Sequence, residues 1–252
     1  MPVLAPAAVD STPAVSPAED SEAVADMHGD VPGLLLSVLL IVTCLGLSFV
    51  VARSGKKRLG DACPEVARKI VHIGVSNWFF IYAHVFESDT WPIIGLASFA
   101  LINAAMNLSG GLSKLMAQES TKRNWGLVQY PISIILLILI KMMGFGDIVA
   151  FGCAVLGMGY GDGLASLVGR HVKSPKLWRD SKKSVAGSVT MAAVTFVVVL
   201  LVKICYGNAD ISAALLSAAA CSVAATFVEA LTPFGLDNLS VPIAIYLILG
   251  FV

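Results

Sequence analysis

Asp162 stands inside an apolar stretch, and six basic residues follow it: Arg170, Lys173, Lys176, Arg179, Lys182 and Lys183. A second acid in apolar surroundings, Glu229, lies downstream with Asp237 and Asn238 after it, and Arg68 and His72 lie upstream at a spacing that puts both on one helical face. A carboxylate beside a cluster of cations suits metal-assisted phosphate chemistry, with oxygen donors for a hard divalent ion and positive charge for phosphate oxygens. An ionisable group at membrane depth costs roughly 2.5 kcal/mol or more on insertion scales, so Asp162 and Glu229 read as functional.

The elements that must position these residues are membrane helices. Hydrophobic residues make up 57% of the chain and charged ones 13%, with a mean hydropathy of +0.82; a water-soluble globule would lack the polar surface to cover itself. The predicted class is an all-α, polytopic membrane protein. Apolar segments of spanning length run over 31–52, 67–86, 91–108, 125–143, 147–168, 185–205 and 211–230, with a shorter eighth over 239–252, giving seven or eight spans. They form one catalytic domain, 31–252. Residues 1–30 are rich in Ala, Pro and Ser, with six acids and no Lys or Arg, and are expected to be a disordered acidic tail. The tail lacks the basic start of a signal peptide and the arginines of a transit peptide, which points to a bacterial-type plasma membrane. The cysteines show no metal-ligand spacing and read as core-filling thiols.

Basic residues set the expected orientation. Arg53, Lys56, Lys57, Arg58, Arg68 and Lys69 follow the first span, Lys114, Lys122 and Arg123 the third, and the six after Asp162 the fifth. Nearly all of the 17 Lys and Arg thus sit on alternate connections, the cytoplasmic side by the positive-inside rule, which places the N-terminus and Lys141 outside. With that topology the polar residues within the spans gather in the cytoplasmic half, and the outer half holds little beyond Tyr82 and His84. Asn77, Asn103, Asn107 and Gln129 read first as interhelical hydrogen-bonding groups. Gly157, Gly159, Gly161 and Gly163 alternate around Asp162 and cannot share one helical face, which suggests a weakened or broken helix lining a polar cavity. Neither GxxxxGK[ST] nor GxGxxG is present, so a nucleotide would be bound by other means.

These residues carry a resemblance. Gly161, Asp162 and Gly163 with Gly169 and Arg170, then Lys183, Ser184, Gly187 and Ser188, resemble the signature of the CTP-dependent polyprenol kinase family, which holds dolichol, phytol and diacylglycerol kinase branches. Arg68, Lys69 and His72 resemble its RK-x-x-H element. Glu229, Pro233, Asp237, Asn238 and Pro242 resemble its closing element. Dolichol-kinase-like members usually carry an acid where this chain has Ala186, so the chain is similar to the phytol kinase branch.

The resemblance implies transfer of a phosphoryl group from CTP, as Mg²⁺ complex, to a lipid alcohol such as phytol, farnesol, a polyprenol or diacylglycerol. Asp162, His72 and Arg68 would be catalytic, the base being Asp162 or His72. Arg170, Lys176, Lys182, Lys183, Ser184, Gly161, Gly163 and Asn238 would bind nucleotide and phosphate, and Asp162 with Glu229 or Asp237 the metal. The acceptor and surrounding lipids come from the bilayer, and no nucleic-acid partner is expected. Two other classes fit less well. A CDP-lipid synthase shares related glycine-aspartate and lysine-rich segments but should close on a more acid-rich signature. A transporter should show polar groups on both sides of the midplane.

Overall fold

The computed structural model describes residues 17–55, 63–110, 125–179, 181, 183–233 and 235–251, without the side chains of 17–28 and 64. Their elements are α1 (Pro17–Ser54), α2 (Cys63–Ser76), α3 (Trp78–His84), α4 (Thr90–Leu108), α5 (Gly126–Met142), α6 (Ile148–His171), α7 (Val185–Cys205), α8 (Ile211–Leu231) and α9 (Asp237–Gly250). No strand occurs among the described residues, and an isolated bridge pairs Lys176 with Ser184. Residues 29–54 of α1 and all of α4, α6, α7 and α8 are long and apolar enough to cross a bilayer, while α5 and α9 are shorter apolar helices. The molecule is an all-α polytopic membrane protein.

The expected segments match these helices with two differences. The first helix begins at Pro17, inside the stretch expected to be disordered, and residues 1–16 lie outside the described residues. Asp30 is fully buried and accepts hydrogen bonds from the Glu87 backbone N–H (2.6 Å) and the Ser88 hydroxyl (2.5 Å), tying α1 to the α3–α4 connection. The segment 67–86 is two helices, α2 and α3, broken at Asn77. That side chain donates to the carbonyls of Ile73 (2.9 Å) and Gly74 (3.3 Å), satisfying acceptors left over where α2 stops, and accepts from the Tyr160 hydroxyl (3.1 Å) across the helix interface. Asn103, expected to bond between helices, donates to Phe99 O of its own helix instead.

At the centre is α6, buried along most of its length and packed against α2, α7 and α9. Its N-terminus is capped by the Asp147 carboxylate, which accepts from Ala150 N at 2.7 Å. The helix runs unbroken through all four alternating glycines, which corrects the expectation of a broken segment. They serve two faces. A β-carbon on Gly159 would meet Ser76 and one on Gly163 would meet Ile73, both on α2; on Gly161 it would lie 2.7 Å from Thr195 Oγ1 of α7, and on Gly157 3.2 Å from Ile245 of α9. Two interleaved i, i+4 pairs thus let α6 approach neighbours on opposite sides. Gly159→Ala is expected to destabilise the protein by about 1–3 kcal/mol through overpacking. Gly46→Ala, where no atom lies within 4 Å of the added carbon, should be neutral or slightly stabilising; unfolding in detergent compares the two.

Opposite ends of the bundle carry different polar groups. At one end the Asp89 carboxylate accepts from the Tyr82 hydroxyl (2.5 Å) and pairs with Lys141 (3.0 Å), near the Asp30 contacts; this network is larger than the Tyr82 and His84 expected at the end away from the basic loops. At the other end lie the C-terminus of α6, the 172–184 loop and the α8–α9 turn. Of the basic connections that set the orientation, Lys56, Lys57, Arg58, Lys114, Lys122, Arg123 and Lys182 lie outside the described residues.

Candidate active site

A cavity of about 1230 Å³ occupies this second end. It collects residues from α2, the start of α5, the last turns of α6, the 172–184 loop, the start of α7 and the α8–α9 turn. Its acids are Glu65, Asp162, Glu229 and Asp237, and its cations Arg68, Lys69, Arg170, Lys176 and Lys183.

Along α2, Glu65, Arg68, Lys69 and His72 follow an i, i+3, i+4, i+7 pattern and so turn toward one side. Asp162, on the facing side of α6, receives Lys69 Nζ at 2.5 Å and has His72 Nε2 at 3.4 Å from the same oxygen. Both partners are buried: the Lys69 side chain is 9% exposed and that of His72 8%. Glu65 pairs with Arg68 (2.5 Å) and Arg170 (3.2 Å) and accepts from the Ser166 hydroxyl (3.1 Å), fixing two guanidinium groups on the cavity wall.

The opposite wall comes from α8, α9 and the basic loop. Gly235 takes a left-handed conformation (φ 78°) in the α8–α9 turn, where a side chain would be strained, and this turn returns the chain so that Glu229 and Asp237 converge. Between them sits Lys183, whose Nζ lies 2.8 Å from Glu229 Oε1 and 3.2 Å from Asp237 Oδ2 and also donates to the Glu229 carbonyl. Burial alone would lower the affinity of Lys183 for its proton. The hydrogen bond to Glu229 and the charges of Asp237 and Glu229 outweigh it and hold its pKa above the ordinary lysine value. The loop carrying Lys183 is ordered by Leu177 N donating to Lys183 O (3.1 Å) and Val185 N to Pro175 O (2.9 Å). Ser184 then caps α7, accepting from Gly187 N at 3.3 Å.

Of the residues expected at the site, Arg68, His72, Asp162, Arg170, Lys176, Lys183, Ser184, Glu229, Asp237 and Asn238 all line this cavity. Gly161 and Gly163 do not; they face Thr195 and Ile73, because their role is helix contact rather than phosphate contact. Lys182 lies outside the described residues. Glu65 was not among the expected site residues and Lys69 entered only within the RK-x-x-H resemblance, without a role, although their spacing with Arg68 and His72 on one face was the available signal. Among the described residues no group of three His, Cys, Asp or Glu side chains is placed to hold a metal ion. An all-protein metal cage is therefore not what this cavity offers. Glu229 and Asp237, both within 3.2 Å of one ammonium, form a two-carboxylate oxygen set of the kind that suits Mg²⁺ arriving with a nucleotide.

An all-α membrane bundle with acids and cations facing one another across a cavity at one end defines the class, and comparison with known proteins defines the family. The chain is 33% identical over 222 residues to the phytol kinase of Synechocystis sp., covering 85% of this chain and 91% of that protein. It is 30% identical to the probable chloroplastic phytol kinase 2 of Glycine max (84% and 73% covered) and 27% identical to the chloroplastic farnesol kinase of Arabidopsis thaliana (64% and 56%). The chain belongs to the phytol kinase-like polyprenol kinase family. No family model matches it, and no solved structure does.

Proposed function

We propose that this protein transfers the γ-phosphoryl group of CTP, or of another nucleoside triphosphate, to an isoprenoid alcohol of the bilayer, phytol or farnesol in the first instance. The observation that carries the reading is the single cavity with Lys183, Glu229 and Asp237 on one wall and Lys69, Asp162 and His72 on the other. Phosphoryl transfer asks a protein mainly to position the reactants and neutralise charge. Lys183 and Arg170 take the phosphate oxygens, the latter through its bidentate fork. Glu229 and Asp237 would hold Mg²⁺, which would supply neutralising charge for the phosphates. Asp162 and His72, facing each other at 3.4 Å, receive the proton of the acceptor hydroxyl, with Lys69 keeping Asp162 oriented. By the positive-inside rule the cavity faces the cytoplasm.

A cytidylyltransferase is the second reading, since the same cations would hold CTP with a lipid phosphate as nucleophile. Incubation of the purified protein with labelled CTP, Mg²⁺ and phytol, farnesol, a polyprenol or diacylglycerol separates the two. Phosphorylated alcohol with released CDP is the expected result; pyrophosphate with a CDP-lipid would overturn it.

A further inference from the structure

The large cavity leaves open how an acceptor with a long apolar tail reaches it, and the wall between α2 and α5 bears on this. A small apolar void, about 10 Å³, lies between α2, α4 and α5, lined by Val71, Val75, Phe99, Tyr130 and Pro131 together with His72 and Leu127. His72 and Leu127 also line the large cavity, so these two residues are the partition between a polar chamber and an apolar seam.

Both partition residues offer a hydrogen-bond acceptor. His72 is 7% exposed and its Nε2 makes no hydrogen bond, the Asp162 carboxylate lying 3.4 Å away, and a buried imidazole nitrogen left unpaired is costly. Four residues after Leu127 comes Pro131, which has no N–H to give the Leu127 carbonyl. The seam beside the partition is apolar: the Tyr130 ring lies 4.9 Å from that of His72 while its hydroxyl is already engaged with Val155 O at 3.0 Å. The seam is also loosely closed. Whereas α4 packs closely on α5, and α2 on α1 and α6, α2 makes few close backbone approaches to α4 or α5. Phe99 at its edge is only partly buried, and Leu101 and Ile102, the next large apolar residues of α4, are exposed.

We infer that the α2/α4–α5 seam is the acceptor's doorway and tail site: the isoprenoid chain lies along Val71, Val75, Phe99 and Pro131, and its terminal hydroxyl reaches His72 Nε2 and the Leu127 carbonyl at the cavity wall. This deepens the kinase reading and rests on it. The occupant is an alcohol with one polar end because the seam offers hydrogen-bonding atoms only at its inner end. An incoming chain parts α2 from α4 and α5, the contact with least to lose.

The test uses the full-length protein in nanodiscs, irradiated with two phytol analogues, one carrying a diazirine on the tail and one beside the hydroxyl, with and without excess phytol. Peptide mass spectrometry should place phytol-competed labels from the tail analogue on Val71, Val75, Phe99 or Pro131, and from the other on His72 or Leu127. Competed labelling confined to α1, α7 or α8 overturns the inference, and it leaves the kinase reading standing if phytol is still phosphorylated. Seam labelling without transfer to any alcohol overturns the kinase reading and leaves the alcohol site in place. As an independent check, Val75→Phe should raise the KM for phytol about tenfold or more with the nucleotide KM unchanged. Val197→Phe, on a half-exposed position of α7, should change neither; equal effects at both positions would also overturn the inference.

Discussion

Asp162→Asn is expected to lower turnover of a lipid alcohol by about 10²–10⁴-fold, the usual contribution of a positioned proton acceptor. The same substitution should also reduce stability, and for a separate reason. Asp162 is the anion that neutralises Lys69 at 2.5 Å, and the Lys69 side chain is buried. Removing one partner of a buried pair leaves the other uncompensated, at a cost of about 3–5 kcal/mol. A single variant therefore confounds chemistry with folding. Combining Asp162→Asn with Lys69→Met removes both charges and should return most of the stability without returning turnover. Unfolding in detergent and single-turnover transfer from labelled CTP measure the two quantities on the same preparations. Wild-type turnover in either variant would take Asp162 out of the mechanism, while recovery of turnover together with stability would make it a structural counter-ion.

That pairing also marks where the sequence stopped being legible. The apolar segments mapped onto helices closely, because the demand for about 20 apolar residues per span is met or refused by composition alone. The acids stood out for the same reason, each being costly in its apolar surroundings. Lys69 stood out only as part of the RK-x-x-H element and carried no role of its own; only the packing of α2 on α6 makes it the partner of a residue 93 positions away. Glu65 was hidden likewise at the edge of its span, although the face it shares with Arg68, Lys69 and His72 could have been read from spacing. The alternating glycines were misread because spacing tells which residues share a face but not how many neighbours a helix has. With α2 on one side of α6 and α7 and α9 on others, two glycine faces need no broken helix. The Asn77 break followed from a side chain serving its own helix end, a local competition that an apolar run conceals.

Lys183→Ala should raise the nucleotide KM by about 10–100-fold, the value of one or two charge-assisted hydrogen bonds at about 1.5–3 kcal/mol. The argument turns on what Lys183 holds without nucleotide. Its ammonium bridges Glu229 and Asp237, whose charges keep it protonated, so phosphate binding by Lys183 has to compete with two carboxylates already in place. Glu229 and Asp237 would hold a divalent ion accompanying the nucleotide, which would supply positive charge there and leave Lys183 to the phosphates. Removing the lysine then has opposite effects on the two ligands. Nucleotide binding weakens, while the two acids, left facing each other without a cation, bind a divalent ion more tightly. Mn²⁺ titration followed by electron paramagnetic resonance, without nucleotide, should show tighter binding in Lys183→Ala than in the wild type, and Lys183→Arg should restore part of the nucleotide affinity. An unchanged Mn²⁺ affinity would mean that Glu229 and Asp237 serve only to anchor Lys183, and an unchanged nucleotide KM would remove Lys183 from phosphate binding.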